Sequence, residues 1–268
     1  MIVAQAYNYS KKVRSIELDT DPNEQPMVVQ FASSNAEEFS SATEHVLNIC
    51  NGVNLNCGCP KSHITKLGCG SALLRSPEKI ADIVKTAKSR FGEKQGFSIS
   101  TKIRLLPSKE KTIELCRRIE KMNTDFLIIH ARTKHQKDSE TPNYEMMGLI
   151  RDTIQIPIVA NGSIFCKQDY EKYLEVGHFE GVMSARGLVR NPGLFEGSTS
   201  SKAKYVKELW DYTNQYKWPG YKFITFRKMF GHVTHDLLSK QERILLQKCK
   251  TEETLEKVLL KNNLLDEN

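Results

Sequence analysis

The segment FSISTKIRLLPSKEKTIELCRRIEKMNTDFLIIHAR, residues 97–132, decides the fold. A β-rich run over Phe97–Arg104 leads into a helix-like stretch from Glu110 to Met122, and a second β-rich run follows over Phe126–Arg132. Strand, helix, strand is the unit that joins two parallel strands, because a parallel pair needs a long crossover. The alternation extends in both directions. Further β-rich runs cover Met1–Ala6, Val28–Ala32, Val53–Asn56, Pro157–Asn161 and Gly181–Arg186. Between them, Asn35–Ile49 reads as a helix with Asn35 as N-cap and Glu37 and Glu38 in its first turn. Another opens at Ser76-Pro77-Glu78-Lys79, with proline at the first helical position and Ile80, Ile83, Val84 and Ala87 at helical spacing.

Seven strands in such a repeat argue for an α/β fold of the TIM (β/α)8 barrel type over an open doubly wound sheet. The dinucleotide fingerprint is absent: Gly68-Cys69-Gly70 lacks a third glycine and does not follow a strand directly. One strand of eight is unaccounted for. The chain starts inside a strand-like run with no preceding turn, so the first β/α unit is expected to be missing from this sequence. After Leu194 the strands stop. Ser198–Ser201 reads as a linker, and Val206–Tyr216 and Ile244–Leu260 read as helices. The expected organisation is a barrel over 1–195 and a small all-helical domain over 196–268.

Composition narrows the class. The chain of 268 residues has no run of about 18 apolar residues, so no membrane span is expected. Seven scattered cysteines, an odd number, with no basic lead-in at the start, read as reduced thiols of the cytoplasm, with the nucleus as a second compartment. Net charge is +7, and residues 201–268 hold 13 Lys and Arg against 9 Asp and Glu, more than half the excess. A polyanion such as RNA is one reading of that bias and a solvated helical surface is the other.

The ends of the strands carry the chemistry, as they do in barrels of this kind. Gln30, Asn56-Cys57-Gly58-Cys59-Pro60, Lys102 and Arg104, His130 and Arg132, Asn161-Gly162-Ser163, and Arg186-Gly187 fall there in succession. The last two ends present backbone amides at strand-to-helix turns, and Arg186 adds a fork of donors, which predicts a phosphate grip. A phosphorylated ligand with a flat polar edge facing Lys102 and Gln30 implies FMN; a cationic lysine there would stabilise the anionic reduced ring. The stretch NLNCGCPKSHITKLGCGSALL, residues 54–74, leaves two other readings open. Cys57, Cys59, His63 and Cys69 could ligate zinc, although paired Cys-x-x-Cys spacing is absent. Cys59 could instead serve as a hydrolase nucleophile with His63 as base. His232 and His235 form a further candidate pair one helical turn apart.

Asn54-Leu55-Asn56-Cys57-Gly58-Cys59-Pro60, Gly70-Ser71-Ala72-Leu73-Leu74, Lys102-Ile103-Arg104, Ile129-His130-Ala131-Arg132-Thr133, Ala160-Asn161-Gly162 and Ala185-Arg186-Gly187-Leu188, in that order, resemble the tRNA-dihydrouridine synthase family, most closely its eukaryotic 20a/20b branch. The resemblance implies an NAD(P)H- and FMN-dependent reduction of the C5–C6 double bond of a D-loop uridine in tRNA. It implies that Cys59 is the catalytic proton donor and that Asn56 holds the uracil. Gln30, Lys102, His130, Asn161, Gly162, Arg186 and Gly187 would bind FMN, and Arg132 would order the site or touch RNA. A thiol with the reference pKa of about 8.5 is mostly protonated at neutral pH, as a general acid requires. The C-terminal helices would contact tRNA through Lys222, Arg227 and Lys228 with Tyr221 and Phe226 interleaved. No metal and no obligatory protein partner are expected, and the chain would act as a monomer. Two features depart from the family: Ala131 stands where it has glycine, and nothing matches its first-strand Ala-Pro-Met segment. The second reading of the whole is a truncated, non-catalytic relative that binds RNA.

Overall fold

A computed structural model describes residues 1–21, 23–196, 202–216 and 220–265. Seven parallel strands form one sheet: β1 (Ile2–Val3), β2 (Val28–Ala32), β3 (Gly52–Asn56), β4 (Ser98–Leu105), β5 (Leu127–Thr133), β6 (Ile158–Asn161) and β7 (Gly181–Met183). Their spatial order is their sequence order, and each pairs in parallel with the next. A doubly wound sheet reverses its strand order at a switch point. This sheet never does, so its topology is that of the TIM barrel, with seven strands among the described residues.

The register fixes which side chains share a face. Phe31 pairs with Leu55, Ile103 with Ile129, and Ile129 with Ala160. All five are fully buried, under the helices that follow the strands. These include Ala36–Val46, Pro77–Phe91, Lys109–Glu120 and Tyr144–Thr153, each of which buries an apolar stripe. The alternate positions, on the inner face, are polar: Gln30 pairs with Asn54, Asn56 with Lys102, Arg104 with His130, and His130 with Asn161. Side chains alternate along a strand, so one polar residue on this face brings its second neighbours with it.

Local signals place the helices well. Asn35 caps its helix by accepting a hydrogen bond from the Glu38 amide, and Ser108 and Asn143 do the same for theirs. Three elements differ from the sequence reading. The run Met1–Ala6 is a strand only at Ile2–Val3; from Ala4 the chain is helical to Tyr9, with Ala4 and Tyr7 buried. The run Gly181–Arg186 is a strand only to Met183, and Arg186 begins a helix over Arg186–Arg190. The run Ile244–Leu260 is two helices, Lys240–Lys248 and Glu252–Lys261, because Thr251 starts a new one with a capping box to Thr254.

The chain divides into two compact units, Met1–Ser163 with Tyr170–Met183, and Ile164–Asp169 with Ser184–Asn268. The division falls where β7 ends, before the expected boundary at 195; the expected linker Ser198–Ser201 lies outside the described residues. The second unit is helical, as expected. Its core gathers Val206, Trp210, Phe230, Leu246, Leu255 and Leu259 from helices Lys202–Tyr216, Gly220–Val233, Lys240–Lys248 and Glu252–Lys261. Among the described residues, no helix is long and apolar enough to cross a membrane.

Candidate active site

The ends of β2 to β6 carry three groups of hydrogen-bonded polar side chains on the inner face. Gln30 sits between two asparagines of β3. Its Nε2 donates to Asn54 Oδ1 at 2.7 Å, and its Oε1 accepts from Asn56 Nδ2 at 2.8 Å. Asn54 donates onward to Ser100 Oγ at 2.9 Å. These groups are buried or half-buried and each is paired, as buried amides must be.

Asn56 has a second task. Its Oδ1 accepts from the backbone amides of Gly58 at 3.1 Å and Cys59 at 2.9 Å. One side chain therefore shapes the loop that carries Cys59. The loop is held from two further sides: the Cys57 amide donates to Lys102 O at 2.8 Å, and the Ser71 amide donates to Cys59 O at 2.9 Å. Gly70 makes that last contact feasible. Its φ is +61°, and a Cβ there would lie 2.6 Å from Cys59 O.

The cysteines of this loop differ in kind. Cys59 is half-buried, and Cys57 is fully buried. Burial, then the neighbouring Cys69, push the Cys57 thiol well above its ordinary range, which makes it a packed, protonated side chain. Cys69 joins Ala32 and Ile64 in a small apolar cluster against which Cys59 and Val3 pack. His63 is exposed on the short helix Ser62–Thr65. Among the described residues, no group of three or more His, Cys, Asp and Glu is gathered as a metal would need.

Lys102 reaches across the inner face to β6. Its Nζ donates to Asn161 Oδ1 at 2.6 Å, and Asn161 Nδ2 donates to Met183 O at 2.7 Å. Burial, then the nearby Arg104, lower the lysine pKa to about 7. Its charge is therefore poised to respond to whatever binds beside it. Arg104 is a residue that sequence reading placed at a strand end without giving it a role. A Cβ at Gly58 would lie 3.3 Å from Arg104 Cγ, and burial holds the Arg104 guanidinium below its ordinary pKa. Period two from Lys102 was the signal for it.

His130 and Arg132 form a third group. Arg132 Nη1 lies 3.2 Å from His130 Nε2. A guanidinium has no acceptor, so Nε2 accepts and the imidazole carries its hydrogen on Nδ1. Arg132 Nε donates to Glu140 O at 2.6 Å, and Nη2 donates to Ser163 Oγ. The side chain is 1% exposed. Of the two roles the sequence leaves for Arg132, ordering the site matches these contacts. Gly162 turns between these groups with φ +135°, and a Cβ there would meet Tyr173 Oη at 3.0 Å and His130 Cδ2 at 3.2 Å.

The first unit thus brings together Gln30, Asn56, Cys59, Lys102, His130, Arg132, Asn161 and Gly162. Arg186 and Gly187 belong to the second unit, where they open the helix Arg186–Arg190. There the Arg186 and Arg190 guanidinium carbons lie 5.6 and 5.3 Å from the centroid of the Phe165 ring. The second unit also has a cavity of about 350 Å³ lined by Arg227, Lys228, Gly231, His232 and Gln247. Arg227 Nη1 is tied to Cys249 O at 2.6 Å, and Lys228 is exposed. Phe226 packs in the helical core, so it is no base-stacking platform. The side chains of Tyr221 and Lys222 lie outside the described residues. His232 ends its helix and His235 follows it; His235 pairs with Asp236 at 2.8 Å.

The chain is 33% identical over 266 residues, 99% of its length, to a tRNA-dihydrouridine synthase-like protein of Caenorhabditis elegans, of which it covers 91%. It is 31% identical to the human tRNA-dihydrouridine(20a/20b) synthase [NAD(P)+]-like protein, covering 91% of this chain and 75% of that one. The tRNA-dihydrouridine(20a/20b) synthase [NAD(P)+] of Schizosaccharomyces pombe is also 31% identical, over 92% of this chain and 74% of its own. The model of the dihydrouridine synthase family matches residues 1–261, and the chain belongs to that family.

Proposed function

We propose that this chain reduces the C5–C6 bond of a D-loop uridine in tRNA to dihydrouridine, at positions 20a and 20b, using FMN and NAD(P)H. The observation that carries the reading is a set of polar groups, Asn56, Lys102, His130 and Asn161, on one inner face, with Asn56 holding the amide of Cys59. The human and fission yeast relatives, named for tRNA-dihydrouridine(20a/20b) synthesis with NAD(P)+, support the tRNA substrate, the dinucleotide and the two positions.

The donor set fits a flavin. Lys102 Nζ, the two side-chain amides of Gln30 and Asn161, and the His130 imidazole offer donors and acceptors suited to the polar edge of an isoalloxazine. Asn161, Gly162, Arg186 and Gly187, which the family resemblance assigns to the phosphate and ribityl chain, would hold that end of it. A flavin held there would supply the hydride for uracil C6, drawn in turn from NAD(P)H. The protein does the rest. Cys59 gives its thiol proton to C5 on the opposite side of the same double bond, so that one hydride and one proton saturate it. Asn56 spends one Nδ2 hydrogen on Gln30 and keeps the other for a uracil carbonyl. Lys102, with a pKa of about 7, takes up a proton when negative charge develops beside it. The uridine must leave its stack to reach Cys59.

The visible spectrum of the purified chain, before and after incubation with FMN, tests the flavin part. The account expects a bound flavin that NADPH bleaches in the absence of air. A protein that stays colourless after incubation with FMN would overturn it.

A further inference from the structure

A cavity of about 390 Å³ opens beside the catalytic loop, lined by Pro60, Thr65, Ser71, Arg75, Lys134 and His135 among others. We propose that this cavity seats a backbone phosphate of the RNA strand next to the target uridine, with Arg75 and Lys134 as its principal ligands. The inference rests on the tRNA reading and adds a substrate contact within the barrel unit itself, apart from the basic helices.

Charge is the first argument. Among the described residues, no carboxylate lines the cavity. From Cys59 to Pro77 the chain holds Lys61, Lys66 and Arg75 and not one Asp or Glu. The nearest acids of the facing loop are engaged elsewhere: the Glu140 carboxylate accepts from the Lys137 amide, and Asp138 acts on Arg104. Arg75, Lys134 and His135 form no ion pair among the described residues. Cations gathered in one recess without counter-charge repel one another, and a bound anion relieves that repulsion. The guanidinium fork of Arg75 matches the geometry and acceptor capacity of a phosphate.

Position is the second. Both walls are fastened to the loop that holds Cys59. On one side the Ser71 amide donates to Cys59 O, and Gly70 packs so close to that carbonyl that no Cβ fits. On the other, Lys134 and His135 follow directly on Thr133, whose carbonyl accepts from Arg104 Nη1 at 3.0 Å, and Arg104 packs against Gly58. A phosphate in this cavity therefore sits at a fixed offset from the thiol. Phosphate contacts set register without reading sequence, and a base can be swung out only from a strand that is held. Arg75 and His135 are exposed and Lys134 is half-buried, so the recess faces a large substrate.

The test measures binding of a fluorescently labelled tRNA transcript to the full chain over a series of KCl concentrations. It compares wild type, the double variant Arg75→Ala/Lys134→Ala, and Arg75→Lys. The double variant should bind roughly tenfold more weakly at low salt, and its slope of log Kd against log salt should fall by about one, since fewer counterions are displaced. Arg75→Lys keeps the charge and should keep the slope. Unchanged affinity and slope in the double variant would overturn the inference. So would a raised KM for NADPH with tRNA affinity intact, which would assign the cavity to the dinucleotide phosphates. A wild-type chain with no salt-dependent affinity for tRNA would instead remove the reading on which this one rests.

Discussion

Lys102 is the residue whose state depends most on its setting. Buried among neutral amides and near Arg104, it loses its proton near pH 7, whereas in the unfolded chain it keeps it to about pH 10.5. Between these values the unfolded state holds the extra proton, so the lysine costs stability most at pH 7 and below, and the cost fades as pH rises. Lys102→Met should therefore stabilise the ligand-free chain relative to wild type near pH 7, and the difference should shrink toward pH 10. Denaturant titrations of both at several pH values check this; a difference that does not change with pH would contradict the buried-charge account. The sequence made such residues visible because each stands at the end of a β-rich run. It did not show their division of labour. The resemblance assigns Asn56 to the uracil, but its grip on the Gly58 and Cys59 amides is a tertiary fact. Arg132 was legible as polar, while its burial and its bond to His130 depend on how β5 packs.

At the scale of elements, local chemistry outweighed hydrophobic pattern wherever the two disagreed. The run 244–260 has apolar residues toward both ends and no glycine or proline to break it, so it looks continuous. Thr251 nevertheless accepts the Thr254 amide and closes a capping box, so a second helix starts there. Thr251→Ala should cost the helical unit about 1 kcal/mol, the usual worth of a threonine cap. A matching fall in the denaturation midpoint would show it, and an unchanged midpoint would mean the cap carries no weight. The short outer strands failed for a related reason. Two residues in β1 and three in β7 are too few to show alternation, and the helices that follow them were absorbed into the strand readings. The five strands between them were legible to within one residue at either end, since each is bounded by a clear turn or cap.

For the molecule as a whole, the repeat of strand and helix was enough to order the sheet, because consecutive parallel strands joined by helices lie side by side. The division into units was only partly legible. A polar serine run drew the eye to residue 198, but the chain leaves the sheet at the last residue of β7, and the segment 164–169 joins the second unit by contacts that no linear reading reveals. The basic excess of the last quarter and the cationic cavity beside Cys59 both point toward a polyanion. The proposed function would use both in the production of one modified nucleoside. The decisive measurement is nucleoside mass spectrometry of a tRNA transcript incubated with the purified chain, FMN and NADPH, alongside Cys59→Ala. The account predicts dihydrouridine with the wild-type chain and none with Cys59→Ala, although that variant still binds flavin. Equal dihydrouridine from both proteins would contradict the role of Cys59, and none from a flavin-loaded wild-type chain would contradict the proposed reaction.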